Sequence, residues 1–173
     1  MVNIRPAKLE DIKQIQEIEK EYYEGFNCPE ETLKNWIQNL SENFIVAEEN
    51  NRIVGFIFFE YLNKIKAIPF VHHFENNKNR KYAYISEVGI LDRYIPSEVL
   101  QELFNKLLEK AKKDECKSLI WLTGSKSKHD KVESNILLNN NFSKKENIKH
   151  WEAYPNFFID DHYIWLKQIE RFK

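Results

Sequence analysis

One carboxylate stands in apolar company. Glu87 lies within Tyr82-Ala-Tyr-Ile-Ser-Glu-Val-Gly-Ile-Leu91, a stretch rich in β-branched and aromatic residues that predicts a strand. Buried beside Val88 and Ile90, its carboxyl would be pushed up towards neutrality by desolvation. An acid tuned in that way suits general-base chemistry. The plainer alternative is that Glu87 points to solvent or pairs with a lysine. Other reactive types are less promising. His72 and His73 are adjacent, so their side chains diverge on an extended chain and do not share a metal without further ligands. His150 and His162 read as surface or strand residues. Cys28 and Cys116 are single and far apart, which suggests neither a disulfide framework nor a zinc site and fits a reducing compartment.

The elements that position Glu87 can be read around it. Asp92 to Ser97 breaks the strand. Leu100, Leu103, Phe104, Leu107, Leu108 and Ala111 then recur at helical spacing, with Lys110, Lys112 and Lys113 in the last turns, where cations suit the helix dipole. Ser118 to Thr123 is a second apolar strand, so the unit reads as βαβ.

Upstream, Val2–Arg5 reads as a short edge strand. Lys8–Tyr22 reads as a helix with Leu9, Ile12, Ile15 and Ile18 inward. Pro29 fits the first position of a second helix whose apolar face is Leu33, Trp36, Ile37 and Leu40. Asn43–Glu48 and Arg52–Leu62 predict a hairpin through Glu49-Asn-Asn51, since asparagine tolerates positive φ. Asn63–Arg80 reads as a surface loop, with a flap over a site as the functional alternative.

Downstream, Asp130 is placed to cap a helix over Lys131–Asn139. Strands follow from Phe142 to Trp151 and from His162 to Ile169, with a turn at Tyr154–Phe157. The order β α α β β β α β α β β predicts an α/β fold with a mixed, mostly antiparallel sheet of about seven strands and four helices.

Length and composition set bounds. A chain of 173 residues predicts one domain over 1–173. Net charge is -1 with dispersed basic residues, which is not the footprint of a nucleic-acid binder. No signal peptide and no apolar run of membrane-spanning length is read, so a cytoplasmic location and no membrane partner are expected.

The order and several local cues resemble the GNAT N-acetyltransferase superfamily over nearly the whole chain. Ile4-Arg-Pro-Ala-Lys-Leu-Glu-Asp-Ile12 looks like that family's opening. Phe44-Ile-Val-Ala-Glu48 and Ile53-Val-Gly-Phe56 look like its second and third strands, Asn141-Phe142 stands where it commonly has Gly-Phe, and Asp160–Lys167 looks like its closing strand. The resemblance implies acetyl-CoA as cofactor, lying where the fourth and fifth strands splay apart, and a primary amine as acceptor, on a small molecule or a peptide N-terminus. It also makes Glu87 the catalytic base and leaves a homodimer open.

The cofactor site implied runs along the backbone of Val88, Gly89 and Ile90 and onto the helix start at Ser97, Glu98 and Val99, where N–H groups and the dipole favour a pyrophosphate. The family's loop there, R/Q-x-x-G-x-G/A, falls on Ile95–Leu100 and matches at none of its three defining positions. Ser97 is a natural N-cap, and Glu98 reads as a first-turn acid standing where a phosphate would sit. The tyrosine that often protonates the leaving thiolate is Leu137 here, with Tyr84, Tyr94 and Tyr154 as substitutes that spacing does not single out. Two expectations follow: an acyl-CoA-dependent N-acyltransferase, or a catalytically inactive domain of the same fold that binds a ligand or protein.

Overall fold

In the computed structural model, residues 2–25, 27–61, 82–94, 98–124, 129–154 and 157–169 are described. The strands are β1 (Asn3–Pro6), β2 (Phe44–Glu49), β3 (Arg52–Tyr61), β4 (Tyr82–Ile90), β5 (Ser118–Gly124), β6 (Ser143–Tyr154) and β7 (Phe157–Gln168). The helices are α1 (Ile12–Tyr22), α2 (Glu30–Leu40), α3 (Val99–Lys113) and α4 (Asp130–Asn139). The strands hydrogen-bond in the order β1-β2-β3-β4-β5-β7-β6. The expected element order and the mixed, mostly antiparallel seven-stranded sheet are both present.

The chain forms two compact units, residues 1–59 with 87–110 and residues 60–86 with 111–173. In the first, β1 pairs antiparallel with β2 and β2 with β3. The β2–β3 turn places Asn50 and Asn51 at φ of 50° and 61°, the left-handed region that asparagine enters more readily than other side chains. Its core is aromatic. Phe44 and Phe58 lie 5.1 Å apart, and Trp36 of α2 stacks on Phe58 at 4.6 Å. From α3, Leu100, Leu103, Phe104 and Leu107 are buried, as the helical spacing predicts.

Gly89 is explained by close packing. A Cβ there would lie 2.6 Å and 2.9 Å from ring carbons of Phe56 and 3.0 Å from Ile18 Cγ2.

In the second unit, Tyr82–Ile85 of β4 pair in parallel with Ser118–Trp121 of β5, and β5 pairs antiparallel with β7. Leu119, Ile120, Trp121, Leu137, Ile164 and Trp165 are buried, and the Trp165 indole donates to Thr123 Oγ1 at 2.9 Å. Asn141 takes φ of 59° at the end of α4, and the Phe142 N–H closes that end on the Leu137 carbonyl at 2.9 Å. A left-handed residue is needed there, so either asparagine or glycine serves before the phenylalanine.

Four local expectations are corrected. Leu9 is 48% exposed, because a 3₁₀ turn over Leu9–Asp11 rotates it off the inward stripe of α1. Pro29 precedes α2 as its N-cap, with Glu30 the first helical residue. Asp130 is itself helical, and His129 takes the N-cap position of α4. The last strand begins at Phe157, five residues before His162, because pairing with β6 runs back to Tyr154. The Asn63–Arg80 segment, with its two adjacent histidines, lies outside the described residues.

Candidate active site

The site is built on Glu87–Ile90 of β4 and the end of α1, both in the first unit. Alternation along a strand turns neighbouring side chains to opposite faces. Val88, Gly89 and Ile90 are buried, while Glu87 is half-buried. Its charge reaches the Cys28 thiol, in the connection between α1 and α2.

Tyr23 meets β4 directly. Its hydroxyl donates to the Val88 carbonyl at 2.6 Å and accepts the Val88 N–H at 3.3 Å. The tyrosine is fixed from behind. Its own N–H caps α1 on the Glu19 carbonyl at 2.7 Å, and the Gly25 N–H closes the turn on the Lys20 carbonyl at 2.8 Å. Glu24 at φ 54° and Gly25 at φ 103° supply the left-handed bend.

Glu19 lies one turn back on α1 and is 1% exposed. Its Oε2 accepts the Cys28 N–H at 2.8 Å, and Oε1 has no hydrogen-bond partner among the described residues. Burial pushes this carboxyl up to about 7 against the opposing effect of the Cys28 N–H. Burial, and then the charges of Glu19 and Glu87, push the Cys28 thiol up to about 12, so it stays protonated and is no nucleophile.

The predicted cofactor residues are placed as follows. Val88 has both backbone polar groups on Tyr23. Ser97 lies outside the described residues. Glu98 is exposed and immediately precedes α3, its carbonyl accepting the Glu102 N–H at 2.9 Å. It is therefore not a first-turn acid as expected, since the helix starts one residue later, and Glu102 holds that role. Val99 is buried at the helix start. The backbone N–H groups of Val99, Leu100 and Gln101 lie ahead of the helix's own ladder, at the positive end of its dipole.

Leu137 is fully buried, which explains an apolar residue there. Tyr94 donates to the Glu49 carboxylate, and that bond raises its pKa, which works against proton donation. His162 is half-buried in β7 opposite Gly124.

Glu19, Tyr23 and Cys28 were not anticipated. Glu19 carried a signal: it falls on the stripe of Ile12, Ile15 and Tyr22, where an acid is out of place. Tyr23 and Cys28 carried none, because they meet their partners only through the tertiary fold.

Family membership follows. Strand order and helix placement define a mixed α/β protein with a mostly antiparallel seven-stranded sheet. The acetyltransferase (GNAT) family model matches residues 10–132, and the chain belongs to that family. No curated protein sequence matches it.

Solved structures share the fold at low identity. Ard1 from Thermoplasma volcanium aligns at 14% identity and TM-score 0.75, over 98% of this chain and 99% of that one. The ribosomal-protein-S18-alanine N-acetyltransferase from Escherichia coli aligns at 14% and 0.69, over 100% and 97%. The putative acetyltransferase yncA from Salmonella typhimurium, with its cofactor acetyl-CoA, aligns at 12% and 0.71, over 98% and 94%.

Proposed function

We propose that this protein is an acyl-CoA-dependent N-acyltransferase that moves an acetyl group onto a primary amine, of a small molecule or of a protein N-terminus. The observation that carries the reading is Glu87, half-buried on β4 in a chain of the GNAT family. The fold neighbours lend support: one was solved with acetyl-CoA, and another is an N-acetyltransferase for an alanine of a ribosomal protein.

The backbone of this chain suits the cofactor at one end. The N–H groups at the start of α3, from Val99 on, offer a dipole and donors to a pyrophosphate, while the exposed Glu98 carboxylate opposes it. At the other end, Gly89 and Ile90 would line the pantetheine arm, and an amide at Val88 would have to share or displace the Tyr23 hydroxyl. Acetyl-CoA supplies, when bound, an acetyl group activated as a thioester. Glu87 accepts a proton from the acceptor ammonium, freeing the nitrogen lone pair for attack. Glu87→Gln should then lower turnover by roughly 10²–10⁴ while leaving cofactor affinity nearly unchanged. Equal turnover by mutant and parent would assign Glu87 a structural role.

A second reading is a binding module of the same fold without transfer chemistry. It is favoured by the absence of the R/Q-x-x-G-x-G/A pattern at Ile95–Leu100 and by Leu137 in place of a proton donor. Calorimetry with acetyl-CoA and CoA separates the two: a module that has lost the cofactor gives no heat with either.

A further inference from the structure

Val88 turns its backbone to a side chain. In an extended strand the N–H and C=O of one residue point the same way, ready for one residue of a neighbouring strand. The ladder of β4 with β5 covers Tyr82–Ile85 and stops short of Val88. Both Val88 groups meet one atom instead, the Tyr23 hydroxyl oxygen.

The two bonds are unequal. The hydroxyl donates to the Val88 carbonyl at 2.6 Å, and it accepts the Val88 N–H at 3.3 Å, longer than a good N–H to oxygen bond. An extended chain with two secondary amides matches this pair as a neighbouring strand would. One of its carbonyls takes the N–H, and one of its N–H groups gives to the carbonyl. Pantetheine carries two such amides.

The tyrosine can also leave. Its backbone is fixed, since its N–H closes α1 on the Glu19 carbonyl at 2.7 Å and the left-handed Glu24 and Gly25 follow. Its ring is half-buried and lies edge-on to Tyr22, 5.1 Å away. Rotation about the side-chain bonds is therefore enough to carry the hydroxyl off β4 and leave the helix end in place.

We infer that Tyr23 is an internal competitor for the acyl-CoA site, its hydroxyl holding the Val88 N–H and C=O until the amides of the pantetheine arm take them. This rests on the cofactor reading above and adds to it a residue that opposes binding. Binding exchanges the hydrogen bonds of the hydroxyl for those of the amides. The hydroxyl thus weakens the cofactor by the worth of the bonds it gives up.

The test compares the whole chain with Tyr23→Phe, which keeps the ring and lacks the hydroxyl. Calorimetry is run with CoA and with adenosine 3′,5′-bisphosphate, the nucleotide part of CoA without pantetheine. Tyr23→Phe should bind CoA about five- to tenfold more tightly, and the bisphosphate with unchanged affinity. A second readout needs no variant. In the parent chain labelled with ¹⁵N and with ¹³Cζ-tyrosine, CoA should shift the Val88 amide and Tyr23 ring resonances together, and the bisphosphate should move neither. Equal or weaker CoA binding by Tyr23→Phe would overturn the inference, as would Val88 and Tyr23 resonances that stay in place while CoA binds. Either result leaves Tyr23 a structural tie and the transferase reading untouched. No CoA heat with either protein would remove the cofactor reading and this inference with it.

Discussion

Two buried acids stand eight residues apart on the same N-terminal segment, and the fold treats them in opposite ways. Asp11 is 3% exposed and fully employed. It accepts both guanidinium nitrogens of Arg5, at 2.8 and 2.9 Å, and the Lys8 N–H at 2.8 Å, while Arg5 also reaches Glu48 at 2.6 Å. Burial would push its carboxyl up, but the bonds to Arg5 and Lys8 outweigh that and hold it below its usual value. Glu19 is buried more deeply and has a single backbone donor, and burial wins. The difference separates an acid that holds the fold from one that the fold carries at a cost. Asp11 ties β1 and β2 to the start of α1 through Arg5. Glu19 ties only the start of its own connection, through the Cys28 N–H.

The largest effect should come from breaking the paired acid. Asp11→Ala leaves Arg5 half-buried with one partner fewer, and should cost about 3–5 kcal/mol in urea unfolding. A loss under about 1 kcal/mol, the level of an exposed ion pair, would erase the contrast.

Next is the pH dependence, where the two acids should have opposite signs. Asp11 is depressed when folded, so its contribution is complete above its ordinary value of 3.8 and is lost as pH falls through its folded value. Glu19 is raised when folded, so its contribution is complete below its ordinary 4.5, declines as pH rises, and is gone above about 7. That decline should amount to about 3 kcal/mol. Glu19→Gln should flatten it, becoming more stable than the parent at pH 8 in denaturant unfolding. A variant that keeps the parent's slope between pH 5 and 7 would place the titration elsewhere.

Tyr23→Phe sharpens the comparison from the side of β4. It strips one donor and one acceptor from the Val88 backbone and should cost about 1–3 kcal/mol in thermal unfolding. No loss would mean that water replaces the hydroxyl at no penalty. The smallest effect belongs to the exposed acid. Glu98→Gln should tighten CoA several-fold, and the gain should shrink with salt, since screening acts over about 10 Å at 0.1 M. Unchanged affinity by calorimetry would place the phosphates away from the start of α3.

Much of the fold was legible because periodicity reports burial. The α3 stripe, the Asn50-Asn51 turn and the strand around Glu87 all follow from local spacing and turn chemistry. The Arg5 to Asp11 opening was legible as a family pattern, and its physical reason is the ion pair. Leu9 was misplaced because a 3₁₀ turn has a different period from the helix it feeds. Asp130 was misread because a capping residue and a first helical residue differ by one position, and several residue types serve at both. Glu19 was passed over because glutamates on a helix are usually outward, although its position on the stripe marked it. Tyr23 and Val88 are 65 residues apart, and no local rule links them.

Acetyl transfer to an amine, as proposed, requires first that the chain bind the cofactor. Isothermal titration calorimetry of the whole chain with acetyl-CoA and CoA tests it most directly. Saturable heat with both is predicted, together with about 2.7 kcal/mol of added stability at 100 times the dissociation constant. No heat and no shift in melting temperature at millimolar ligand would contradict it and leave the binding-module reading in its place.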